Sequence, residues 1–163
     1  LVLKHCSDDE DGSLGVQYDK YEELYENFRK AETYSTDEYK VVVKWSKIEA
    51  NGQRSYQRCY GAPFLIQISG TGLLAPCSMM FNEGYKKFHL GNICESRFKD
   101  LVFSDEYWEV MNHLASPDFN AQVSCPSLCL QHKFNEALDE HVKGIKDINL
   151  TKGISKPMHI NFV

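Results

Sequence analysis

The chain lacks an initiating methionine. It opens on Leu1-Val2-Leu3-Lys4-His5-Cys6, in the middle of an apolar pattern, and reads as an excised or processed piece of a longer protein. It has no apolar run near the ~18 residues of a membrane helix, so no span is expected. It shows no signal peptide, because the apolar stretch at its start is three residues long. Positive charge is in deficit. Eighteen Lys and Arg against 23 Asp and Glu leave a net charge of −5, which argues against the cationic face that binding to nucleic acid needs. The expected address is cytoplasmic, with no nucleic-acid or membrane partner. Apolar residues are not scarce. At 42% apolar and 12% aromatic, the chain can build a core, and disorder as the main state is excluded. Its 163 residues make one ordinary domain or two small ones.

What is in surplus is cysteine: Cys6, Cys59, Cys77, Cys94, Cys125 and Cys129. Three disulfides would suit a secreted chain, but a domain of this size needs no staples. A metal site is the better reading. Cys125-Pro126-Ser127-Leu128-Cys129 sets two thiols three residues apart, inside the spacing of paired metal ligands. Cys59 and Cys77 are separated by seventeen residues, too far for a local knuckle. A hairpin brings them together. Phe64-Leu65-Ile66-Gln67-Ile68 favours a strand, Ser69-Gly70-Thr71-Gly72 a turn, and Leu73-Leu74-Ala75 the returning strand. Folding that hairpin carries Cys77 back to the end where Cys59 lies. Four thiolates select zinc or an iron–sulfur cluster, and spacing alone does not choose between them.

Cys59, the strand, the turn glycine and Pro76-Cys77 come in a telling order. His89-Leu90-Gly91-Asn92-Ile93 follows, then Arg97-Phe98-Lys99-Asp100-Leu101, then Ser104-Asp105-Glu106-Tyr107-Trp108, and finally the Cys125/Cys129 pair. Together they resemble the C-terminal auxiliary-cluster domain, of the SPASM or twitch type, of radical S-adenosylmethionine enzymes. The resemblance covers about half the chain, from Cys59 to about His141. It implies one auxiliary 4Fe–4S cluster held by Cys59, Cys77, Cys125 and Cys129, for electron relay or for closing the substrate pocket. Four protein thiolates leave no open iron, which favours relay. The fuller seven-cysteine form with two auxiliary clusters is not matched. The C-x3-C-x2-C triplet that holds the primary cluster is also missing. The resemblance therefore implies a parent enzyme whose upstream barrel carries S-adenosylmethionine and a second 4Fe–4S cluster. This piece alone is expected to be non-catalytic, so no catalytic or cofactor-binding residue is assigned. The implied partners are that upstream barrel, an unknown substrate and an electron-donor protein. A zinc-binding structural module using the same four cysteines is the alternative.

The expected fold is α+β. Residues 1–55 read as the strand–helix–strand end of a partial (β/α) barrel, 56–142 as the cluster domain with a hairpin followed by helices, and 143–163 as a tail. Residues 1–3 predict a strand. Residues 19–31 predict a helix, with Tyr21, Leu24, Tyr25, Phe28 and Ala31 on one stripe. Residues 39–48 predict a second strand, ended by Asn51-Gly52. Ser104 predicts a helix cap, with Trp108, Met111, Leu114 and Ala115 facing inward. Residues 130–142 predict a further helix, with Leu130, Phe134, Ala137, Leu138 and His141 inside and Cys129 at its N-terminus.

Several motifs are set aside. Gly70-Thr71-Gly72-Leu73-Leu74-Ala75 fits a dinucleotide fingerprint, but Pro76 denies it the helix that fingerprint opens. The acidic run at 8–11 lacks the alternation and closing glutamate of a calcium loop. Asn149-Leu150-Thr151 is a chance sequon. The six histidines lack any nucleophile signature, and His132 alone is singled out, as a donor to the sulfurs or a stand-in ligand. Cys94 is expected as a small buried residue and Cys6 as a structural residue in a strand.

Overall fold

The computed structural model describes residues 1–6, 14–125 and 129–148. The acidic run at 8–11, the turn interior at 126–128 and the sequon at 149–151 lie outside the described residues. No described helix is long and apolar enough to cross a membrane.

The first part is a strand–helix–strand unit. β1 (Val2–Leu3) pairs in parallel with β2 (Val42–Val43), Val2 opposite Val42 and Leu3 opposite Val43. Parallel neighbours need a crossover. Here it is a 3-10 stretch, Tyr18–Leu24, that runs into α1 (Tyr25–Glu32). The expected stripe is only half used. Tyr21, Tyr25, Phe28 and Ala31 are half-buried, and Leu24 is exposed. Glu32 locks α1 to the second strand: its carboxylate accepts from Val43 N at 3.2 Å and from Trp45 Nε1 at 3.0 Å. Tyr25 and Phe28 meet the Trp45 ring edge-on.

The strand expected over 39–48 is much shorter. It gives way to α2 (Trp45–Glu49), where Ile48 turns inward and is buried. Asn51 and Gly52, both at positive φ, end that helix rather than a strand.

The second part opens at Tyr56 and holds the main core. β3 (Gln67–Ile68) and β4 (Leu74–Ala75) form an antiparallel hairpin, Gln67 opposite Ala75 and Ile68 opposite Leu74, but the first strand is shorter than the expected Phe64–Ile68, because Pro63 starts a 3-10 turn, Ala62–Phe64, instead. Residues 89–93 run along the other edge of β4. Leu74 N donates to Gly91 O, Leu90 N to Leu74 O, and Ile93 N to Gly72 O. Helices follow: α3 (Phe98–Val102), α4 (Asp105–Ala115), α5 (Ala121–Ser124) and α6 (His132–Val142). Ser104 caps α4 as expected, accepting from Tyr107 N at 3.2 Å, a contact worth about 1 kcal/mol. The inward face differs by one residue. Tyr107, Met111 and Leu114 are buried, while Trp108 stands out to solvent. Leu74, Ala75, Phe88, Leu90 and Phe119 complete the core, and Cys59, Cys77 and Cys125 pack against it. The architecture is α+β.

Candidate metal centre

The four cysteines arrive from three directions. Cys59 is tied to the end of α4, its N–H donating to Leu114 O at 2.9 Å. Cys77 leaves β4 through buried Pro76 and opens a 3-10 turn, Ser78–Met80. Cys125 ends α5. Cys129 precedes α6, its carbonyl accepting from His132 N at 3.3 Å. Every pair among the four sulfurs is close enough to interact electrostatically. Among the described residues, no cysteine is in a disulfide.

The sulfurs meet a set of donors. The Ala62 backbone favours negative charge on Cys59, and the Met79 backbone and Ser78 hydroxyl favour it on Cys77. The Tyr56 hydroxyl faces Cys129. Asn135 Nδ2 donates to Cys59 Sγ at 3.6 Å and to Cys129 Sγ at 3.9 Å. Donors aimed at sulfur suit thiolate ligation, because they stabilise negative charge on the ligand.

Burial favours the protonated form of Cys59, Cys77, Cys125 and Tyr56. Burial pushes the Cys59 thiol up to about 11, and the neighbouring Cys129 adds to the rise. Burial pushes Cys125 up to about 12 against the pull of Arg54. It also raises Cys77 and drives Tyr56 far above its ordinary range. Among the described residues, no three His, Cys, Asp or Glu side chains are arranged to hold a metal ion. Zinc would need all four sulfurs about 2.3 Å from one point. A narrow cleft lined by Lys47, Gln53, Arg54 and His132 reaches Cys129, and its cationic lining complements the negative charge of a metal–thiolate group.

The residues beside the sulfurs are the main surprise. The expected inner face of α6 is the wrong one: Leu130, Phe134, Ala137 and His141 are exposed, and Leu138 is half-buried. The buried positions are Gln131, Asn135 and Asp139, spaced four apart on one helical face. Gln131 Nε2 donates to Leu65 O and Pro76 O at 3.1 and 3.2 Å, clamping the hairpin's base to the helix. Its Oε1 lies 3.5 Å from Cys59 Sγ. Gly61 lets this contact form, since a Cβ there would sit 3.0 Å from Gln131 Oε1 and 3.3 Å from Asn135 Oδ1. The only sequence signal was polar residues at i, i+4 and i+8 after the last cysteine, which hydrophobic periodicity assigns to solvent.

His132 stands beside the group with both ring nitrogens engaged. Nδ1 lies 3.4 Å from Tyr56 Oη, and Nε2 lies 3.3 Å from Glu136 Oε1. It orients Tyr56, which in turn meets Cys129. Cys94 is not buried as expected. It is exposed at the hairpin's turn, its sulfur against Gly72. Cys6 lies beyond β1 rather than in it, and is exposed. No family model, curated protein or solved structure matches the chain.

Proposed function

We propose that this chain is the auxiliary-cluster portion of a radical S-adenosylmethionine enzyme, with one 4Fe–4S cluster held by Cys59, Cys77, Cys125 and Cys129. One observation carries the reading: the thiols of Cys59, Cys77, Cys125 and Cys129 lie near enough to influence one another's charge, three of them pack against the core, and Asn135 Nδ2 donates to two of the sulfurs. The donor set is all soft sulfur, as a cluster or zinc prefers over harder cations. When bound, a cluster supplies a one-electron acceptor whose potential the surrounding dipoles set. The chain's own residues hold the thiolates, keep water away from three of them through the core, and direct N–H groups at the sulfurs.

The parallel β1–β2 pair supports the reading of an adjoining barrel. Parallel sheets are covered on both faces in α/β architectures. Here Val2 is 55% exposed and Val42 is 38% exposed on the outward face. Further parallel strands and helices from the upstream barrel would cover that face, and the substrate would lie between barrel and cluster domain. An electron-donor protein would serve the assembled enzyme.

Serine substitution tests the ligand set. After anaerobic reconstitution with iron and sulfide, Cys59→Ser, Cys77→Ser, Cys125→Ser and Cys129→Ser should each lose most visible absorption and bound iron. Cys6→Ser and Cys94→Ser should keep both. Loss of the cluster in Cys94→Ser, or full retention in Cys77→Ser, would contradict the assignment.

A further inference from the structure

Asn135 is fully buried, at 0% exposure, in the first turn of α6. A buried amide costs free energy unless each polar atom is matched. A leucine of similar volume would pack against the neighbouring core without that cost. The placement of its atoms explains why an amide stands there. Gly61 N can only donate, and it lies 2.8 Å from Asn135 Oδ1. That contact fixes which end of the amide is oxygen. Nδ2 is therefore turned to the sulfurs, 3.6 Å from Cys59 and 3.9 Å from Cys129. Cys59 and Cys129 are seventy residues apart in sequence, and this one side chain bridges them. Gly61 in turn sits between Cys59 and the hairpin, so the oxygen side of the amide steadies the same loop that delivers Cys59.

We propose that Asn135 is the positioning residue of the four-cysteine site, with its Nδ2 amide bridging the Cys59 and Cys129 sulfurs and stabilising both as metal-bound thiolates. The inference rests on the four-cysteine reading above and adds a residue outside the ligand set. When metal binds, each thiol passes its proton to solvent and each sulfur becomes a metal–thiolate ligand. An N–H aimed at that sulfur then carries part of its negative charge. Groups that orient and polarise metal ligands in this way typically contribute ~10–100-fold to affinity.

Cobalt(II) titration of the full chain, reduced and anaerobic, tests the inference without requiring a cluster. Two variants are compared with the unaltered protein. Asn135→Leu removes the donor and the acceptor but adds no charge. Asn135→Asp removes the donor, keeps an acceptor for Gly61 N and adds a charge. The lost donor is the one change they share. Both should bind cobalt about 10–100-fold more weakly. In Asn135→Leu the sulfur-to-cobalt charge-transfer band should also move to longer wavelength, because sulfur lone pairs rise in energy without the N–H. A side chain that only filled space would not move that band. Circular dichroism checks each metal-free fold, and Asn135→Ala replaces the leucine variant if leucine does not fold. Either variant binding as tightly as the unaltered chain, or an unmoved band in the neutral variant, would overturn the inference while leaving the four-cysteine reading intact. If the unaltered chain shows no sulfur-to-cobalt band, the inference falls, and the cluster reading is judged separately by the iron–sulfide reconstitution.

Discussion

At the scale of single residues, the Cys59, Cys77 and Cys125 thiols sit in a poor place to become charged. Burial holds Cys59 at about 11 and Cys125 at about 12, against an ordinary value of 9.0. The sign of the consequence follows from linkage. A folded state that holds these protons more tightly than the unfolded chain gains stability from them below about pH 9. It loses that gain as pH rises through 11 to 12. The reduced, metal-free protein should therefore unfold at lower denaturant at about pH 10 than at about pH 7.5. A Cys59→Ala, Cys125→Ala double variant should show a smaller drop. An equal drop in the double variant would contradict the role given to these thiols. Metal reverses the picture, because ligation requires the thiolates and so releases protons.

At the scale of elements, the hairpin is the part on which Cys59 and Cys77 depend. Gly72 closes its turn at φ +84°, and a Cβ there would meet Asn92 Oδ1 at 2.5 Å and Cys94 Sγ at 2.8 Å. Gly70, two residues earlier, has open space around it and no positive φ. Gly72→Ala should cost about 2–3 kcal/mol, from left-handed strain plus the clash. Gly70→Ala should stay within about 0.5 kcal/mol. Denaturant midpoints compare the two, and equal costs would contradict the turn geometry. This hairpin was legible in the sequence because its signals are local: alternating strand formers around a Ser-Gly-Thr-Gly turn. The cap at Ser104 was legible for the same reason. The inner face of α6 was not. Periodicity ranks residues by transfer to an apolar medium, and so places Phe134 inside and Asn135 outside. Next to thiols and the backbone carbonyls of Leu65 and Pro76, the amides are the better neighbours, and Phe134 instead stacks on exposed Phe64. The second strand was overread for a related reason. Val41, Val42 and Val43 favour a strand, but the apolar residues beyond them follow a helical spacing that buries Ile48.

At the scale of the whole molecule, two parts differ in how complete their packing is. Residues from Tyr56 onward enclose a core of their own, against which Cys59, Cys77 and Cys125 lie. The strand–helix–strand part leaves Leu1, Val2 and Val42 exposed, and no residue of α1 is fully buried. Residue order let the sequence bring the four cysteines toward one hairpin end; in the structure their sulfurs influence one another's charge, while no three of the described side chains are arranged to hold a metal ion. Sequence spacing could not reveal that Gln131 and Asn135 meet Cys59, because those contacts cross 72 and 76 positions. What the four sulfurs hold is read by metal analysis of the full chain after anaerobic reconstitution with iron and sulfide, in the presence of competing zinc. A brown protein with charge-transfer absorption in the visible and about four irons per chain is expected. A colourless protein that keeps one tightly bound zinc and no iron would contradict the cluster reading.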